Sequence, residues 1–109
     1  MKYITTPIYY VNDKPHIGHA YTTLVADIVA RTHVLSGEEV FFLAGTDEHG
    51  TKIAQAAEKA GKQPQEFTDE IAASFKEAWQ NLGIEYNHFI RTTDTDHKKT
   101  AQAFLSKLK

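Results

Sequence analysis

The chain has 109 residues, of which 41% are hydrophobic and 24% are charged, values typical of one soluble globular domain. Its formal net charge of −2 provides no overall basic field for nucleic acid, and the lack of cysteine excludes disulfides, thiol nucleophiles and cysteine zinc sites within this chain. No apolar run approaches the roughly 20 residues that span a membrane, and the first residues resemble a strand rather than a signal peptide. We therefore expect a cytoplasmic protein without a membrane segment.

The first third of the sequence predicts a strand, a turn and a helix. Residues 3–9 are rich in Tyr, Ile and Thr, which favour strands, and residues 12–15 have the composition of a loop. Apolar residues at helical spacing follow between Ala20 and Leu35, and Gly37 is expected to end that helix. The predicted core-facing stripe of the helix consists of Ala20, Leu24, Val25, Ile28, Val29 and Leu35.

A second strand is predicted at 39–44, because residues 40–44 are continuously apolar. Such a run is typical of a strand that is buried on both faces in a parallel sheet. Residues 45–50 are expected to form a polar loop at the carboxyl end of this strand. The alanine-rich segment from Thr51 to Ala60 then predicts a helix that ends at Gly61.

The last third predicts two helices separated by a short strand. Pro64 fits the first position of a helix that Gly83 ends, and Trp79 belongs to its core-facing stripe. Residues 87–90 predict the strand. Thr93 and Asp96 form a capping-box-like pair that is expected to start the final helix. The apolar face of that helix is predicted to consist of Phe104, Leu105 and Leu108.

The element order β-α-β-α-α-β-α predicts an α/β fold, namely the N-terminal half of a Rossmann-like, doubly wound parallel sheet. A complete domain of that kind has about five or six strands, whereas three are predicted here. The final helical pattern also lacks a stop signal. We therefore expect residues 1–109 to be the N-terminal piece of a longer protein. The alternative is a small complete domain whose last helix is its natural end.

Two histidines and a glycine lie where the first long helix begins. A helix N-terminus carries unpaired N–H groups and a partial positive charge, so it attracts phosphate, and Gly18 permits close approach of a ligand to the backbone. His16 and His19 share one side of a helical turn, and each can donate a hydrogen bond to a phosphate oxygen. The residues alone leave two alternatives open, namely a pair of surface histidines and a metal site completed by Asp47 or His49.

The string at 16–19, His-Ile-Gly-His, resembles the nucleotide-binding motif of the class I aminoacyl-tRNA synthetases. The strings at 5–12 and 45–50, Thr-Thr-Pro-Ile-Tyr-Tyr-Val-Asn and Gly-Thr-Asp-Glu-His-Gly, resemble the methionyl-tRNA synthetase family in particular. The resemblance covers essentially the whole chain. It implies that His16 and His19 are catalytic and stabilise the triphosphate while a carboxylate attacks the α-phosphate. Gly18 and Asn12 join the two histidines in the implied ATP-binding set.

The same resemblance implies that Asp47 binds the α-amino group of methionine, a charge-assisted contact between a carboxylate and an ammonium. The residues alone also allow Asp47 to be a cap of the helix that begins at Thr51. Glu48 and His49 are assigned no role, because either could face solvent and His49 could form a hydrogen bond within the loop.

Ile8 and Tyr10 are the implied walls of the pocket for the methionine side chain. Aromatic rings suit a thioether, because sulfur packs favourably against ring edges. For Ile8 and Tyr9, ordinary core packing is an equally good interpretation of the residues alone.

The implied function is that of a methionine–tRNA ligase, which activates methionine with ATP to methionyl-adenylate and transfers it to tRNA(Met), with Mg²⁺ accompanying ATP. The family's second nucleotide motif, its insertion that often carries zinc and its anticodon-binding domain all lie downstream of the region that this chain resembles. Residues 1–109 are therefore expected to be the N-terminal part of the nucleotide-binding catalytic domain and to be inactive in isolation. Two other functions stay open: another class I synthetase or nucleotidyltransferase, and a non-catalytic nucleotide-binding module.

Overall fold

The computed structural model describes residues 1–109. Its strands are Lys2–Thr5 (β1), Tyr9–Tyr10 (β2), Val40–Asp47 (β3) and His88–Arg91 (β4). Its helices are Ile17–Leu35 (α1), Thr51–Lys59 (α2), Pro64–Asn81 (α3) and Thr95–Leu108 (α4). The predicted α/β class is confirmed. None of the four helices combines the length and the apolar character needed to cross a membrane.

The strand β3 is the centre of a parallel sheet. β1 pairs with residues 40–43 of β3, β2 pairs with residues 46–47, and β4 pairs with residues 43–46. Leu43 and Thr46 each have one partner in β4 and another in β1 or β2, so β1 and β2 together form one edge and β4 forms the other. Because all pairings are parallel, the carboxyl ends of β2, β3 and β4 meet at the same edge of the sheet, where α/β folds bind ligands.

Two strand boundaries differ from the prediction. The predicted strand at 3–9 is split into β1 and β2, because Pro7 has no N–H to donate to a neighbouring strand. β3 in turn continues through Gly45 to Asp47, so only residues 48–50 form the loop that was predicted at 45–50. Gly45 permits this continuation, since a Cβ at that position would lie 2.2 Å from the carbonyl oxygen of Ile90 in β4.

The helices α1 and α3 pack on the same face of the sheet and enclose the core with it. The Tyr9 ring of β2 stacks on Phe75 of α3 at 5.9 Å between centroids and lies 4.6 Å from the His19 ring of α1. Trp79 is 1% exposed, which confirms its assignment to the core. The other buried apolar residues of this cluster are Val11, Ala30, Phe42, Ala44, Ile53, Ala57, Phe67, Ile71, Ile84 and Phe89.

The second face of the sheet is largely uncovered in this chain. Ile4 of β1 and Phe42 of β3 are register neighbours, and both belong to the core. Tyr3 and Phe41 precede them in the two strands and stack on each other, and Tyr3 is 61% exposed. Successive side chains of a strand point to opposite faces. The predicted burial of the β3 run on both faces is therefore met only in part: Phe42 and Ala44 are buried, whereas Phe41 and Leu43 on the second face are half-buried.

Helix α1 packs through a different stripe from the one predicted. Its buried residues are Thr23, Asp27 and Ala30. Four of the six predicted stripe residues are exposed, namely Val25, Ile28, Val29 and Leu35, while Ala20 and Leu24 are half-buried. The two buried polar side chains have specific partners, which an apolar pattern does not reveal: the Thr23 hydroxyl donates to the His19 carbonyl, and the Asp27 carboxylate accepts from the Glu85 amide at 2.9 Å.

The final helix α4 also differs from the prediction. Its N-cap residue is Asp94, and no side chain caps the helix, so the predicted capping pair of Thr93 and Asp96 is wrong. The three apolar residues predicted to pack inward are more than half exposed, namely Phe104, Leu105 and Leu108. The strand β4 and the start of α3 at Pro64 agree with the prediction.

Candidate active site

The start of α1 is closed by a reciprocal pair of side-chain caps. The Nδ1 atom of His16 accepts a hydrogen bond from the Gly18 amide at 3.0 Å, and the Nδ1 atom of His19 accepts one from the His16 amide at 3.1 Å. This is the arrangement of a capping box, with histidine rings in the roles that a hydroxyl and a carboxylate usually take. Three local residues therefore fix the two rings relative to the helix axis.

These caps determine which ring nitrogen carries the proton. A neutral imidazole has one donor and one acceptor nitrogen, and both Nδ1 atoms act as acceptors here. The Nε2 atoms of His16 and His19 are therefore hydrogen-bond donors. Because the two rings stack at 3.7 Å between centroids, the site offers two adjacent N–H donors at a helix N-terminus, an arrangement suited to phosphate oxygens.

The ring of His19 is held on one side by the core. It contacts Tyr9 and Phe75, and the Tyr9 hydroxyl is hydrogen-bonded to the Thr23 hydroxyl at 2.9 Å. Burial against these rings lowers the pKa of His19 below its usual value, and the neighbouring His16 lowers that pKa further. The neutral form of His19 is therefore favoured at neutral pH.

Gly18 lies directly under the His16 ring. A Cβ at this position would lie 2.9 Å from the Cε1 atom of His16, closer than unstrained Cβ contacts allow. A larger residue at Gly18 would displace the ring that caps the helix. Gly18 was predicted to allow the close approach of a ligand, and its contact with the His16 ring is a second reason for a glycine here.

Asp47 is the last residue of β3, and Tyr10 is its register neighbour in β2. The Val11 amide donates to the Asp47 carbonyl at 3.3 Å, which ties the end of β3 to the chain that leads to the histidines. The Asp47 carboxylate has one long contact, 3.5 Å from the Thr92 hydroxyl. The tip of the Tyr10 ring lies against Gly50, because a Cβ at Gly50 would be 1.9 Å from the Tyr10 hydroxyl oxygen.

The capping role considered for Asp47 is wrong. Helix α2 has Gly50 as its N-cap residue, and no side chain forms a cap hydrogen bond there. The carboxylate is half-buried and almost without partners, at the sheet edge where ligands of α/β proteins bind. It is free to bind a cation such as an ammonium group.

Glu48 was assigned no role from the sequence, yet it is the most firmly bound carboxylate in the structure. Its side chain has no solvent exposure and forms a bidentate ion pair with Arg91, with both N–O distances 2.7 Å. His49 is exposed and donates through Nε2 to the Thr92 carbonyl at 3.3 Å. A signal for this network was present in the sequence, because Arg91 ends β4 and Thr92 follows it, just as Asp47 ends β3 and Glu48 follows it. Parallel neighbouring strands bring such ends together.

The remaining predicted residues lie on the surface. Ile8 is 43% exposed in the segment between β1 and β2, two residues before Tyr10. Asn12 lines an open cavity of about 580 Å³ with residues of α2 and α3. The structure thus brings together His16, Gly18 and His19, and separately Tyr10 and Asp47, whereas Asn12 lies in the loop between them.

A metal site is not supported by the geometry. The chain has no cluster of three or more His, Cys, Asp or Glu side chains that could hold a metal ion. The Nδ1 atoms of His16 and His19 are already engaged by backbone amides. The metal alternative with Asp47 or His49 therefore lacks the ligand set that it requires.

Comparison with known proteins gives a consistent result over the whole chain. The family model described as tRNA synthetases class I (M) matches residues 2–109. A methionine–tRNA ligase of Thermotoga maritima is 63% identical over 107 residues, which are 98% of this chain and 17% of that protein. One from Helicobacter pylori strain J99 is 58% identical over 99 residues, 91% of this chain and 15% of that protein. The chain thus spans about a sixth of the length of these curated relatives.

Solved structures are similar over the same region. Mycobacterium tuberculosis methionyl-tRNA synthetase bound by methionyl-adenylate matches with a TM-score of 0.88 and 44% identity, covering 90% of this chain and 19% of that one. The LeuRS of a ternary complex with tRNA and LeuAMS from Agrobacterium radiobacter K84 matches with a TM-score of 0.90 and 27% identity, covering 98% of this chain and 14% of that one. The first comparison supports the partial Rossmann-like fold as well as the sequence resemblance.

Proposed function

This chain belongs to the tRNA synthetases class I (M) family, and we propose that it forms part of a methionine–tRNA ligase. The reaction is the ATP-dependent activation of methionine to methionyl-adenylate with release of pyrophosphate, followed by transfer of the methionyl group to tRNA(Met) with release of AMP. The observation that carries this proposal is the start of α1, where His16 and His19 present two fixed Nε2 donors. Because translation uses the charged tRNA, the cytoplasm is the proposed location.

The proposed catalytic residues are His16 and His19. Negative charge builds up on the phosphate oxygens when the methionine carboxylate attacks the α-phosphate and pyrophosphate leaves. Two Nε2–H donors that are already oriented stabilise this charge without reorganisation, which is the main way in which enzymes stabilise such transition states. The lowered pKa of His19 supports this role, because a neutral ring keeps Nδ1 available as the helix cap and Nε2 as the donor.

The proposed ligand for the methionine ammonium is Asp47. Its carboxylate is half-buried and free of strong partners, so an ammonium group would gain a charge-assisted hydrogen bond there. Tyr10 lies beside Asp47 in the sheet register, and Ile8 precedes Tyr10 by two residues. We assign these two side chains to the walls around the thioether.

Asn12 and Gly18 complete the proposed ATP-binding set, with the Gly18 position allowing phosphate to approach the backbone. Mg²⁺ accompanies ATP in this proposal as a charge partner of the phosphates. The residues of this chain do not form a metal site of their own, so we assign no step to the ion.

The proposed function is tested with the full-length protein by methionine-dependent pyrophosphate–ATP exchange. Exchange is expected with methionine and not with leucine, the matched control suggested by the LeuRS neighbour at 27% identity. Exchange with leucine alone would point to another class I synthetase. Binding of ATP without exchange for either amino acid would point to a non-catalytic nucleotide-binding module.

A further inference from the structure

Two adjacent carboxylates at the end of β3 are bound in opposite ways. The Glu48 carboxylate accepts hydrogen bonds from Arg91 through Nε and Nη2, from the Thr46 hydroxyl at 2.7 Å and from the Thr93 hydroxyl at 3.0 Å. The Asp47 carboxylate has only the 3.5 Å contact with the Thr92 hydroxyl. The chain thus commits one carboxylate fully to the protein and leaves its neighbour available.

The partners of Glu48 come from a distant part of the sequence. The backbone amide of Glu48 donates to the Thr92 hydroxyl at 2.8 Å, and the Thr92 amide donates to the Thr46 carbonyl at 3.2 Å. Together with the Arg91 and Thr93 contacts, these bonds tie the residues after β3 to the residues after β4. Arg91 also donates to Asp69 of α3, so three elements converge on one ion pair in which the Glu48 carboxylate is fully buried and Arg91 is half-buried.

This tether has a direct consequence for Asp47. Its backbone lies between two anchored residues, with Thr46 in the sheet and Glu48 bound to β4. A carboxylate binds an ammonium well only when it is held within a few tenths of an ångström of the productive geometry, and such precision comes from the contacts of its neighbours. Without the Glu48 carboxylate contacts, the side-chain contacts between the end of β3 and the end of β4 would be limited to those of Thr92 with Asp47, Glu48 and His49.

We propose that Glu48 and Arg91 are positioning residues that hold the Asp47 carboxylate in place for the α-ammonium group of the amino acid substrate. The proposal rests on the function proposed above, because it concerns the same site. Neither residue contacts the substrate. Their contribution is therefore expected in the affinity for the ammonium group and not in the affinity for the rest of methionine or for ATP.

The test uses the full-length protein with Glu48→Gln, which keeps the shape of the side chain but removes its charge. The methionine KM is expected to rise by up to about 100-fold, the effect of displacing a group by about 1 Å. The ATP KM is expected to stay unchanged. Arg91→Lys should give a smaller rise, because lysine is a point charge that cannot form the bidentate pair. Glu70→Gln is the matched control, since Glu70 forms an exposed ion pair with Lys62.

A second probe separates positioning from a general loss of structure. The compound 4-(methylthio)butanoate is methionine without the α-amino group, so its inhibition constant does not depend on Asp47. We expect that constant to be the same in the wild-type protein and in Glu48→Gln. An equal rise in the methionine KM and in this inhibition constant would overturn the proposal, because it would show that the whole pocket is disturbed.

A double variant tests whether Glu48 acts through Asp47. In an Asp47→Ala background, Glu48→Gln should cause no further rise in the methionine KM, since the group that it positions is gone. Additive effects would overturn the proposal. Should Glu48→Gln fail to fold, Thr93→Val replaces it, because this change keeps both charges and removes one hydrogen bond to Glu48.

The outcomes distinguish this proposal from the proposed function. A wild-type protein without methionine-dependent exchange would refute the function itself. A wild-type protein with such exchange, combined with a methionine KM that is unchanged in Glu48→Gln, Arg91→Lys and Thr93→Val, would leave the function intact and overturn the positioning role.

Discussion

The start of α1 and the end of β3 both carry side chains of the proposed site, but these side chains are held by different kinds of contact. The histidine rings at the start of α1 are fixed by backbone amides two or three residues away. The loop after β3 is fixed by Arg91, Thr92 and Thr93, which are 43–45 residues away in the sequence. The first region is local in the sequence, and the second exists only when β3 and β4 are paired.

This difference indicates which changes would displace the side chains of each region. The orientation of His16 and His19 needs only a formed helix and the core wall behind His19, so changes elsewhere in the sheet should leave their Nε2 donors in place. The placement of Asp47 depends on the register of two strands and on a buried ion pair. Removing one partner of a buried pair typically costs about 3–5 kcal/mol of stability, because it leaves an uncompensated charge.

The largest expected effect comes from the local region. In the full-length protein, His16→Ala or His19→Ala should lower the rate of adenylate formation by about 10²–10³, the usual cost of losing one donor to a developing charge. ATP affinity should fall much less, because an interaction that is stronger in the transition state appears in the rate. Single-turnover adenylate formation over a range of ATP concentrations measures both quantities.

His33→Ala is the matched control, since His33 lies in the last turn of the same helix and pairs with Glu38 at the surface. Its rate should equal that of the wild-type protein. An unchanged rate at saturating ATP with a large rise in the ATP Kd, for either His16→Ala or His19→Ala, would show that the histidine is a ground-state phosphate anchor.

The second effect comes from the end of β3 and should appear in the methionine KM, not in the rate of adenylate formation. Asp47→Ala should raise the methionine KM, because the loss of a buried charge-assisted contact costs about 2–5 kcal/mol. Asp13→Ala serves as the control, since Asp13 is exposed in the loop before α1. Steady-state exchange kinetics with varied methionine measure the effect. Values of KM and kcat that match the wild-type protein would remove Asp47 from the site.

The smallest effect concerns the pKa of His19, which burial and His16 both lower below 6.5. An NMR titration of the full-length protein labelled at histidine should give a value below 6.5, and His16→Gln should raise it, because the neighbouring His16 ring lowers this pKa. The unfolded state then binds more protons than the folded state at slightly acid pH. This group's contribution to stability is therefore present above pH 6.5 and is lost as the pH falls through the folded pKa. A titration at or above 6.5 would contradict this prediction.

Local sequence patterns correctly predicted the features that depend on neighbouring residues. The helix start at the histidines, the proline at the first position of α3 and the burial of Trp79 all follow from local composition and spacing. The pattern misplaced the packed face of α1, because Thr23 and Asp27 are buried through hydrogen bonds to other elements. It also placed Phe104 in a core, although α4 exposes that residue in this chain.

The sequence by itself determined the α/β class, the start of α1 at the histidines and the candidate set of His16, Gly18 and His19. Those features depend on backbone geometry over a few residues, and local chemistry determines them. Only the tertiary structure decided that Glu48 is bound and Asp47 is free, because the partner of Glu48 is Arg91 on another strand. A one-dimensional pattern cannot distinguish two adjacent carboxylates, whereas strand pairing brings a guanidinium to Glu48 and leaves Asp47 with a single 3.5 Å contact.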